Sequence, residues 1–445
     1  MKISNLILAV PLFFGIVSAN AQQKTSLSLH DAVQMAITKN EEVLLADAKA
    51  QTKEYDLGVV KNNRYPDFKL SGQYLRLTNA DVKLKSSNEA STDPNEEPAS
   101  SPKVNQLILA QANANMPIFS GFKLKHSITA SENFYKAEKA NAQYTKEETA
   151  MRVVQYYAEL YKAQKSVELL KESLKSSQQR VTDFTAMEKN GIIARNDLLK
   201  SQLQESRIQL SLDDAEKNVR IINYNLITLL KLSPETMIEV SPDNLDPDLF
   251  SKTIKSEAEA LSNRKDLEAL DFEQKATEAN IKVAKSNYYP SLSLVGGYAF
   301  IDLQNVVRVE NAMNIGVGLS YNLSSLFKNS KDVKAARSRS EEVKLQQTIL
   351  TDRIKSQIVE AQEDYDLSVK QNKVYSEAVD QAGENFRIVK DKYDNGLSDT
   401  NDLLEADVED LTAKINQAYA KANMVLKYYE LLDATGQLTQ SLNLN

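Results

Sequence analysis

An internal repeat constrains this sequence more than any other feature. Residues 190–199 begin with Asn-Gly and end with Asn-Asp-Leu-Leu, and the same letters return 205 residues later at 395–404. A second matching pair, Tyr65-Pro66 and Tyr289-Pro290, is separated by 224 residues. Repetition on this scale is typical of a chain built from copies of one structural unit.

The two halves follow the same order of predicted elements. Each has a helix, a Tyr-Pro pair, two strands joined by a loop, a very long helix, an Asn-Gly turn and a further helix. The polar stretch 79–103 is longer than its counterpart 302–310, which accounts for the difference between the two offsets. We predict a signal peptide at 1–21, a first repeat at 22–232, a linker at 233–251, a second repeat at 252–436 and a C-terminal tail at 437–445.

The N-terminal segment has the pattern of a secretory signal. Lys2 precedes a mostly apolar stretch at 6–17, and Ala19 and Ala21 form a small-x-small cleavage site. The apolar stretch is too short to predict a helix that crosses a membrane, and no later stretch is long enough either. The alternative interpretation is an apolar N-terminus with no targeting role.

Four segments alternate between apolar and polar or small side chains, which indicates β-strands. Two of them follow Pro66 and Pro290, and the other two return toward the long helices. Each is long enough to cross a bilayer as a tilted strand. The lipid-facing residues would then be Phe68, Leu70, Tyr74, Leu292, Leu294, Tyr298, Ile315, Val317, Leu319 and Tyr321. The alternative is a soluble four-stranded sheet with one face in water.

Four strands are too few to close a barrel, and open strand edges are not tolerated in lipid. Three copies of the chain would supply twelve strands, enough for a closed barrel with a lumen. The absence of tryptophan weighs against this interpretation, although 19 tyrosines could supply the interfacial aromatic residues.

Long runs without proline predict long helices. Residues 123–189 contain neither proline nor glycine, and a helix of about 65 residues would reach about 100 Å. Apolar residues such as Val167, Leu170 and Leu174 follow a 3-4 spacing, which predicts left-handed coiled-coil packing. The predicted fold is mainly α with transmembrane β-strands. A plain antiparallel helical bundle is the alternative, but it does not explain two strands before each long helix.

Composition argues against several classes of function. The chain has no cysteine, and its two histidines, His30 and His126, are too few for an ordinary metal site. A net charge of −7 argues against binding to nucleic acid. Neither a phosphate-binding loop nor a nucleophile elbow is present, so we expect no enzyme activity and no cofactor.

Taken in order, the signal, the tandem halves, the Tyr-Pro pair before two strands, the long helix and the Asn-Gly turn resemble the TolC-type outer-membrane efflux family. The resemblance covers nearly all of the chain after the signal, and the paired segments 190–199 and 395–404 are its most specific part. It implies a homotrimer in the outer membrane of a Gram-negative bacterium. Twelve strands would form a barrel in the lipid, and twelve coiled helices would form a tunnel through the periplasm.

The resemblance also implies partners for this trimer. The paired turns would meet a periplasmic adaptor that is coupled to an inner-membrane transporter, and cargo would leave through the duct without chemical change. The cargo is open between drugs, metals and proteins. The implied docking residues are Asn190, Gly191, Leu198, Asn395, Gly396 and Leu403.

A periplasmic gate is implied near the second turn. Asp402 and Glu405 match acidic family positions and share a helix face, so three copies would form a ring of six carboxylates that favours cations. Tyr393 and Asp197 match a family pair that holds the closed tips together. Ser398 stands where the family has an arginine, so the constriction must differ in detail.

Local physical chemistry offers a second role for two of these residues. Asp197 and Asp402 lie near predicted helix starts, where a carboxylate can cap free N–H groups and favour the helix dipole. Capping and gating therefore both remain open for them. At the level of the whole chain, the alternative function is a periplasmic coiled-coil tether that forms no pore, although a tether needs no apolar strand faces.

Overall fold

The computed structural model of the chain describes residues 24–81, 103–240 and 256–444. The predicted signal peptide, most of the long polar loop, much of the predicted linker and the last residue of the predicted tail lie outside these ranges. In chain order the elements are β1 (Lys24–Leu27), α1 (Leu29–Lys39), α2 (Glu41–Asn62), β2 (Asp67–Asp81), β3 (Lys103–Ser120), α3 (Lys123–Lys189), α4 (Arg195–Leu230), β4 (Met237–Val240), α5 (Glu257–Asn263), α6 (Lys265–Ser286), β5 (Ser291–Leu303), β6 (Val307–Ser320), α7 (Ser325–Asp394), α8 (Thr400–Ala434) and α9 (Leu438–Leu442).

The first long helix begins and ends where the sequence predicts, and the second ends at the predicted Asn-Gly turn. Helix α3 contains 67 residues and fills the proline- and glycine-free run, and α7 contains 70 residues with Gly383 as its one glycine. Both end immediately before an Asn-Gly pair. Among the described residues, no helix has the length and apolar character needed to cross a membrane.

The predicted 3-4 stripes of α3 and α4 pack against each other. Leu170 and Leu174 of α3 are buried together with Ile208 and Leu212 of α4, and Leu411 of α8 packs on the same cluster. Buried leucine and isoleucine at this spacing form a coiled-coil seam, as predicted.

The four predicted strands form one antiparallel sheet in the order β2-β3-β5-β6. Its register places Leu70 opposite Ala112, Ala112 opposite Tyr298, and Tyr298 opposite Met313. In this order β3 and β5 are paired on both sides, whereas β2 and β6 are the edge strands. Large apolar side chains on the edge strands are exposed, with Leu70 at 84% and Ile315 at 82%.

A second, two-stranded parallel sheet joins β1 to β4. The side chains of Gln164 and Asn223 complete the bonding of β4. Gln164 Nε2 donates to the Ile238 carbonyl at 2.6 Å, and the Ile238 N–H donates to Asn223 Oδ1 at 2.9 Å. The apolar core around this sheet includes residues of α1, α3, α4, α8 and α9. The sequence pattern does not predict this sheet, because each strand has only four residues.

The chain divides into two compact units. The first comprises Met1–Leu44, Lys146–Glu257 and Gln357–Asn445, and the second comprises Leu45–Thr145 and Ala258–Ser356. Both Asn-Gly turns belong to the first unit and the four-stranded sheet belongs to the second. Each unit therefore draws residues from both sequence halves.

In the second unit, Gly121 makes the turn from β3 into α3. Its φ is +61°, and a Cβ at this position would lie 2.6 Å from the Ser286 carbonyl oxygen and 2.9 Å from Tyr289 Cβ. Glycine is therefore required here both for its backbone conformation and for the close approach of the end of α6.

Candidate functional site

The first Asn-Gly turn joins α3 to α4 through two backbone hydrogen bonds. The Gly191 N–H donates to the Glu188 carbonyl at 2.9 Å, and the Ile192 N–H donates to the Met187 carbonyl at 2.9 Å. This pair of bonds is the Schellman motif, which satisfies carbonyl groups left free at a helix C-terminus.

The second Asn-Gly turn joins α7 to α8 in the same way. The Gly396 N–H donates to the Tyr393 carbonyl at 2.9 Å, and the Leu397 N–H donates to the Lys392 carbonyl at 2.8 Å. Each of these bonds lies 205 residues after its counterpart in the first turn. The repeated sequence therefore produces a repeated backbone structure.

Asparagine and glycine each have a local role in these turns. Asn190 Nδ2 donates to the Ala186 carbonyl at 2.9 Å, and Asn395 Nδ2 donates to the Asp391 carbonyl at 2.7 Å. Gly191 and Gly396 both have a φ of +72°, with no heavy atom within 4 Å of a Cβ added at either position. Backbone conformation, rather than lack of space, therefore requires glycine at both sites.

The helices that follow the turns begin differently. Asp399 caps α8, because its carboxylate accepts hydrogen bonds from the N–H groups of Asn401 and Asp402. At the start of α4 the capping position is Ala194, which has no side-chain hydrogen bond to offer. Of the two roles left open for Asp197 and Asp402, side-chain capping is therefore not made in this structure. Both lie at the third residue of their helices, where a carboxylate still favours the helix dipole.

A small apolar core, which we call the tip core, joins the four helix ends. Phe184 of α3, Leu198 of α4 and Leu403 of α8 are its buried members. Tyr393 of α7 stacks on Phe184 with ring centroids 5.9 Å apart. Leu198 and Leu403, which the resemblance assigns to the docking turns, are only 7% and 5% exposed in this structure. They support the turns from inside.

The apolar residues that the turns do present to solvent are different ones. Ile192 is 66% exposed and Leu397 is 77% exposed, and each directly follows the turn glycine. The sequence prediction missed them because it followed the Asn-Asp-Leu-Leu match. The available signal was an aliphatic residue after the glycine in both copies.

The predicted gate residues all lie near the tip core of the first unit, but not all of them are in contact with one another. Asp402 and Glu405 are exposed on α8, and Ser398 Oγ donates to Asp402 Oδ2 at 2.7 Å. Asp197 approaches Lys200 at 3.7 Å. Within the described ranges no hydrogen bond links Tyr393 to Asp197, so their predicted pairing is not made in this structure.

A nearly buried ion pair connects the two halves beside the tip core. Arg180 Nη1 of α3 lies 2.9 Å from Asp407 Oδ2 of α8, and both side chains are only 12% exposed. One turn further along α8, Asp410 is buried, with Lys414 Nζ at 2.6 Å from its Oδ2. Sequence pattern alone does not bring these residues together, because the paired charges are 227 positions apart.

A second charged group lies on α7 near the tip core, and unlike the Arg180–Asp407 pair it is exposed. Arg387 donates to Glu384 at 2.8 Å and to Asp391 at 3.0 Å. The bond from Arg387 lowers the pKa of the Glu384 carboxyl, and Glu384 raises the pKa of the Arg387 guanidinium. Water and salt screen such a pair, so its contribution to stability is small.

Comparison with known proteins identifies the family. A model of the outer membrane efflux protein family matches residues 32–230 and 258–437, which together are well over half of the chain. The chain belongs to this family. Among curated relatives, the outer membrane efflux protein BepC of Brucella suis biovar 1 (strain 1330) is 19% identical over 327 residues, which are 73% of this chain and 71% of BepC.

Solved structures share the fold at low identity. The outer-membrane channel OprN is 16% identical with a TM-score of 0.77, and the match covers 92% of this chain and 90% of OprN. VceC of Vibrio cholerae is 16% identical with a TM-score of 0.77, covering 92% of this chain and 96% of VceC. CusC is 15% identical with a TM-score of 0.78, and the match covers 98% of both chains. These likenesses confirm the predicted mainly α fold with strand pairs.

We predict that the Arg180–Asp407 pair contributes more to stability than the exposed Arg387 group. Arg180→Gln leaves the Asp407 carboxylate poorly solvated and unpaired. We therefore expect the free energy of unfolding, measured by circular dichroism during thermal unfolding, to fall by about 2–4 kcal/mol. The matched control Arg387→Gln should change stability by no more than about 1 kcal/mol. Equal midpoints for the two variants would contradict this assignment.

Proposed function

We propose that this chain is one protomer of a homotrimeric exit duct in the outer membrane of a Gram-negative bacterium. The observation that carries the proposal is the four-stranded sheet, which has two unpaired edges and exposed apolar side chains. The family membership and the channel folds of its structural neighbours support it. Cargo would pass through the duct from the periplasm to the exterior, with no reaction catalysed.

The sheet of one protomer is incomplete as a membrane structure. In lipid, a strand edge with free N–H and C=O groups costs several kcal/mol for each unsatisfied group. If β6 of one copy pairs with β2 of the next, three copies close a barrel of twelve strands and no edge remains. The exposed apolar residues, including Leu70 and Ile315, would then face the lipid.

The paired turns are the proposed docking site for the periplasmic adaptor, which would couple the duct to an inner-membrane transporter. Each turn holds its glycine at positive φ and presents one aliphatic side chain, Ile192 or Leu397, to solvent. Exposed aliphatic groups on a turn are suitable contacts for an apolar surface of the adaptor. Asn190, Gly191, Asn395 and Gly396 would set the backbone geometry of this surface.

The proposed gate lies on the neighbouring surface. Asp402 and Glu405 are exposed on the same face of α8. Three copies would place six carboxylates around the axis, and such a ring attracts cations while its members repel each other. With Ser398 bonded to Asp402 in place of the family arginine, we propose that like-charge repulsion at the entrance is less compensated here.

The trimer itself is the first thing to test. We expect the full chain, extracted from outer membranes in detergent, to give elongated particles with threefold symmetry in negative-stain electron microscopy. A detergent belt should surround one end, where the sheets close into a barrel. Monomers that stay dispersed without detergent would instead support a periplasmic coiled-coil tether.

Neutralising the acidic pair should change ion selectivity. In planar bilayers under a salt gradient, the double variant Asp402→Asn and Glu405→Gln should shift the reversal potential toward zero, because fewer carboxylates attract cations. The control double variant Glu341→Gln and Glu342→Gln removes the same charge from an exposed part of α7 and should keep the wild-type value. Unchanged selectivity in trimers of the first variant would remove Asp402 and Glu405 from the gate.

Substitutions at the turn glycines should distinguish the effect of backbone conformation on function from the effect of an added side chain. Valine at 191 or 396 is strained at positive φ, whereas asparagine tolerates that region. In a host whose drug resistance depends on this chain, we expect Gly191→Val and Gly396→Val to abolish that resistance at normal outer-membrane abundance, and Gly191→Asn and Gly396→Asn to keep most of it. Full resistance in the valine variants would show that the turns do not dock the adaptor.

A further inference from the structure

The places where helices meet the four-stranded sheet are unusually basic. Between α2 and β2, β3 and α3, α6 and β5, and β6 and α7, the stretches 57–66, 121–131, 279–290 and 321–331 contain eight Lys or Arg. Acidic residues begin directly beside them, at Asp56, Asp67, Glu132, Glu278 and Asp332. The whole chain has an excess of acidic residues, 61 against 54. Each junction therefore has a short stretch with a local excess of positive charge, although the chain as a whole is acidic.

One cavity at these junctions is lined by cations without a carboxylate. It has a volume of about 340 Å³ and lies between the end of α6 and the start of α7, in the second unit. Lys285, Lys334 and Arg337 line it together with Tyr288 and Tyr289, and of these cations Lys334 and Arg337 lie just beyond the stretch 321–331. All three cations are exposed, and across the described part of the chain none of them lies within ion-pair distance of a carboxylate. We call this cavity the junction pocket.

Cations from separate junctions also act on a common neighbour. His126, near the start of α3, has a lowered pKa, first because burial disfavours its charged form and then because Lys282 of α6 and Lys125 of α3 lie nearby. Two junctions far apart in sequence therefore contribute to one region of positive potential.

The position of the junctions follows from the chain's topology. The helices carry charges along their length and cannot lie in lipid, so all four junctions must lie at the same membrane surface if the sheet crosses a bilayer. Tyr289 of the junction pocket is two residues before β5 begins. Exposed aromatic residues gather at the same level, namely Tyr65, Phe122, Tyr289 and Phe327. Aromatic side chains at strand ends are typical of a membrane–water interface.

We propose that the junction pocket binds the phosphate-containing headgroup of an anionic phospholipid in the leaflet that faces the helices. Arg337 can offer paired donors to phosphate oxygens, and Lys285 and Lys334 add point charges. The tyrosine hydroxyls supply neutral donors, and the acyl chains would lie along the exposed apolar residues of β5 and β6. This inference depends on the proposed function, because it requires the sheet to cross a membrane.

The test uses the full-length protein in a zwitterionic detergent. Native mass spectrometry would count the lipids retained from an equimolar mixture of phosphatidylglycerol and phosphatidylcholine with identical acyl chains. The variant is Lys285→Gln, Lys334→Gln and Arg337→Gln. The matched control is Lys344→Gln, Lys370→Gln and Lys373→Gln, which removes three exposed, unpaired cations from elsewhere on α7.

We expect the wild type and the control to prefer phosphatidylglycerol, and the junction variant to lose about tenfold or more of that preference. For the wild type alone, raising sodium chloride from about 50 to about 500 mM should weaken the preference, because salt screens exposed charges. Inorganic phosphate at about 10 mM should compete poorly, because it lacks the acyl chains that hold a lipid at the surface.

Equal preference in the wild type and the junction variant would overturn the lipid site, as would equal loss in the control. Full competition by inorganic phosphate would show an anion site that does not select lipid. If any of these results occurs in threefold particles that need detergent, the lipid site fails while the duct stands. A chain that needs no detergent and retains no lipid would overturn both proposals.

Discussion

The rest of this structure depends on the outer edges of β2 and β6, whose backbone groups have no partner within the sheet. Both inner strands have neighbours on two sides, whereas the outward N–H and C=O groups of the two edge strands have none within the sheet. In water such an edge is an aggregation hazard, and in lipid it costs far more. The exposed apolar residues of the same strands, such as Leu70 and Ile315, add a second penalty in water. In the proposed assembly, pairing with further copies in a membrane would remove both penalties, and the unpaired edges of one protomer would become interfaces between protomers.

At the turns, the duplicated sequence produces duplicated geometry but unequal surroundings. Gly191 and Gly396 have the same φ of +72° and make equivalent hydrogen bonds. Of the two helices that follow the turns, only α8 has a capping carboxylate, that of Asp399. The ion pair also joins the two sequence halves of one protomer, because Arg180 lies in the first repeat and Asp407 in the second. The tip core ties these helix ends together within one protomer. Any movement that opens an entrance must therefore break the nearly buried pair or move the four helix ends together, and the cost of exposing an unpaired charge favours the second route.

Features set by local sequence were predictable, and features set by long-range contacts were not. The bounds of α3 follow from the absence of proline and glycine, and the strands follow from alternation. The small sheet of β1 and β4 was missed because Gln164 and Asn223, rather than strand length, hold it in place. The capping role that was left open for Asp402 belongs to Asp399, three residues earlier, because α8 begins at Thr400. Leu198 and Leu403 were assigned to a docking surface by motif alone, whereas their helix faces turn them into the tip core.

The distribution of charged residues along the chain carries information that family membership does not. A net charge of −7 describes the chain as a whole, but it hides the basic stretches at every junction between helix and sheet. At these junctions the chain passes from helices suited to water into strands suited to lipid. A cation there can remain hydrated while interacting with anionic headgroups, whereas an acidic residue would be repelled by them. If the sheet crosses a membrane as proposed, the excess of Lys and Arg in these four stretches suits a chain held at a charged membrane surface, and the acidic residues that adjoin the stretches, such as Asp67 and Asp332, limit that excess to a short length of chain.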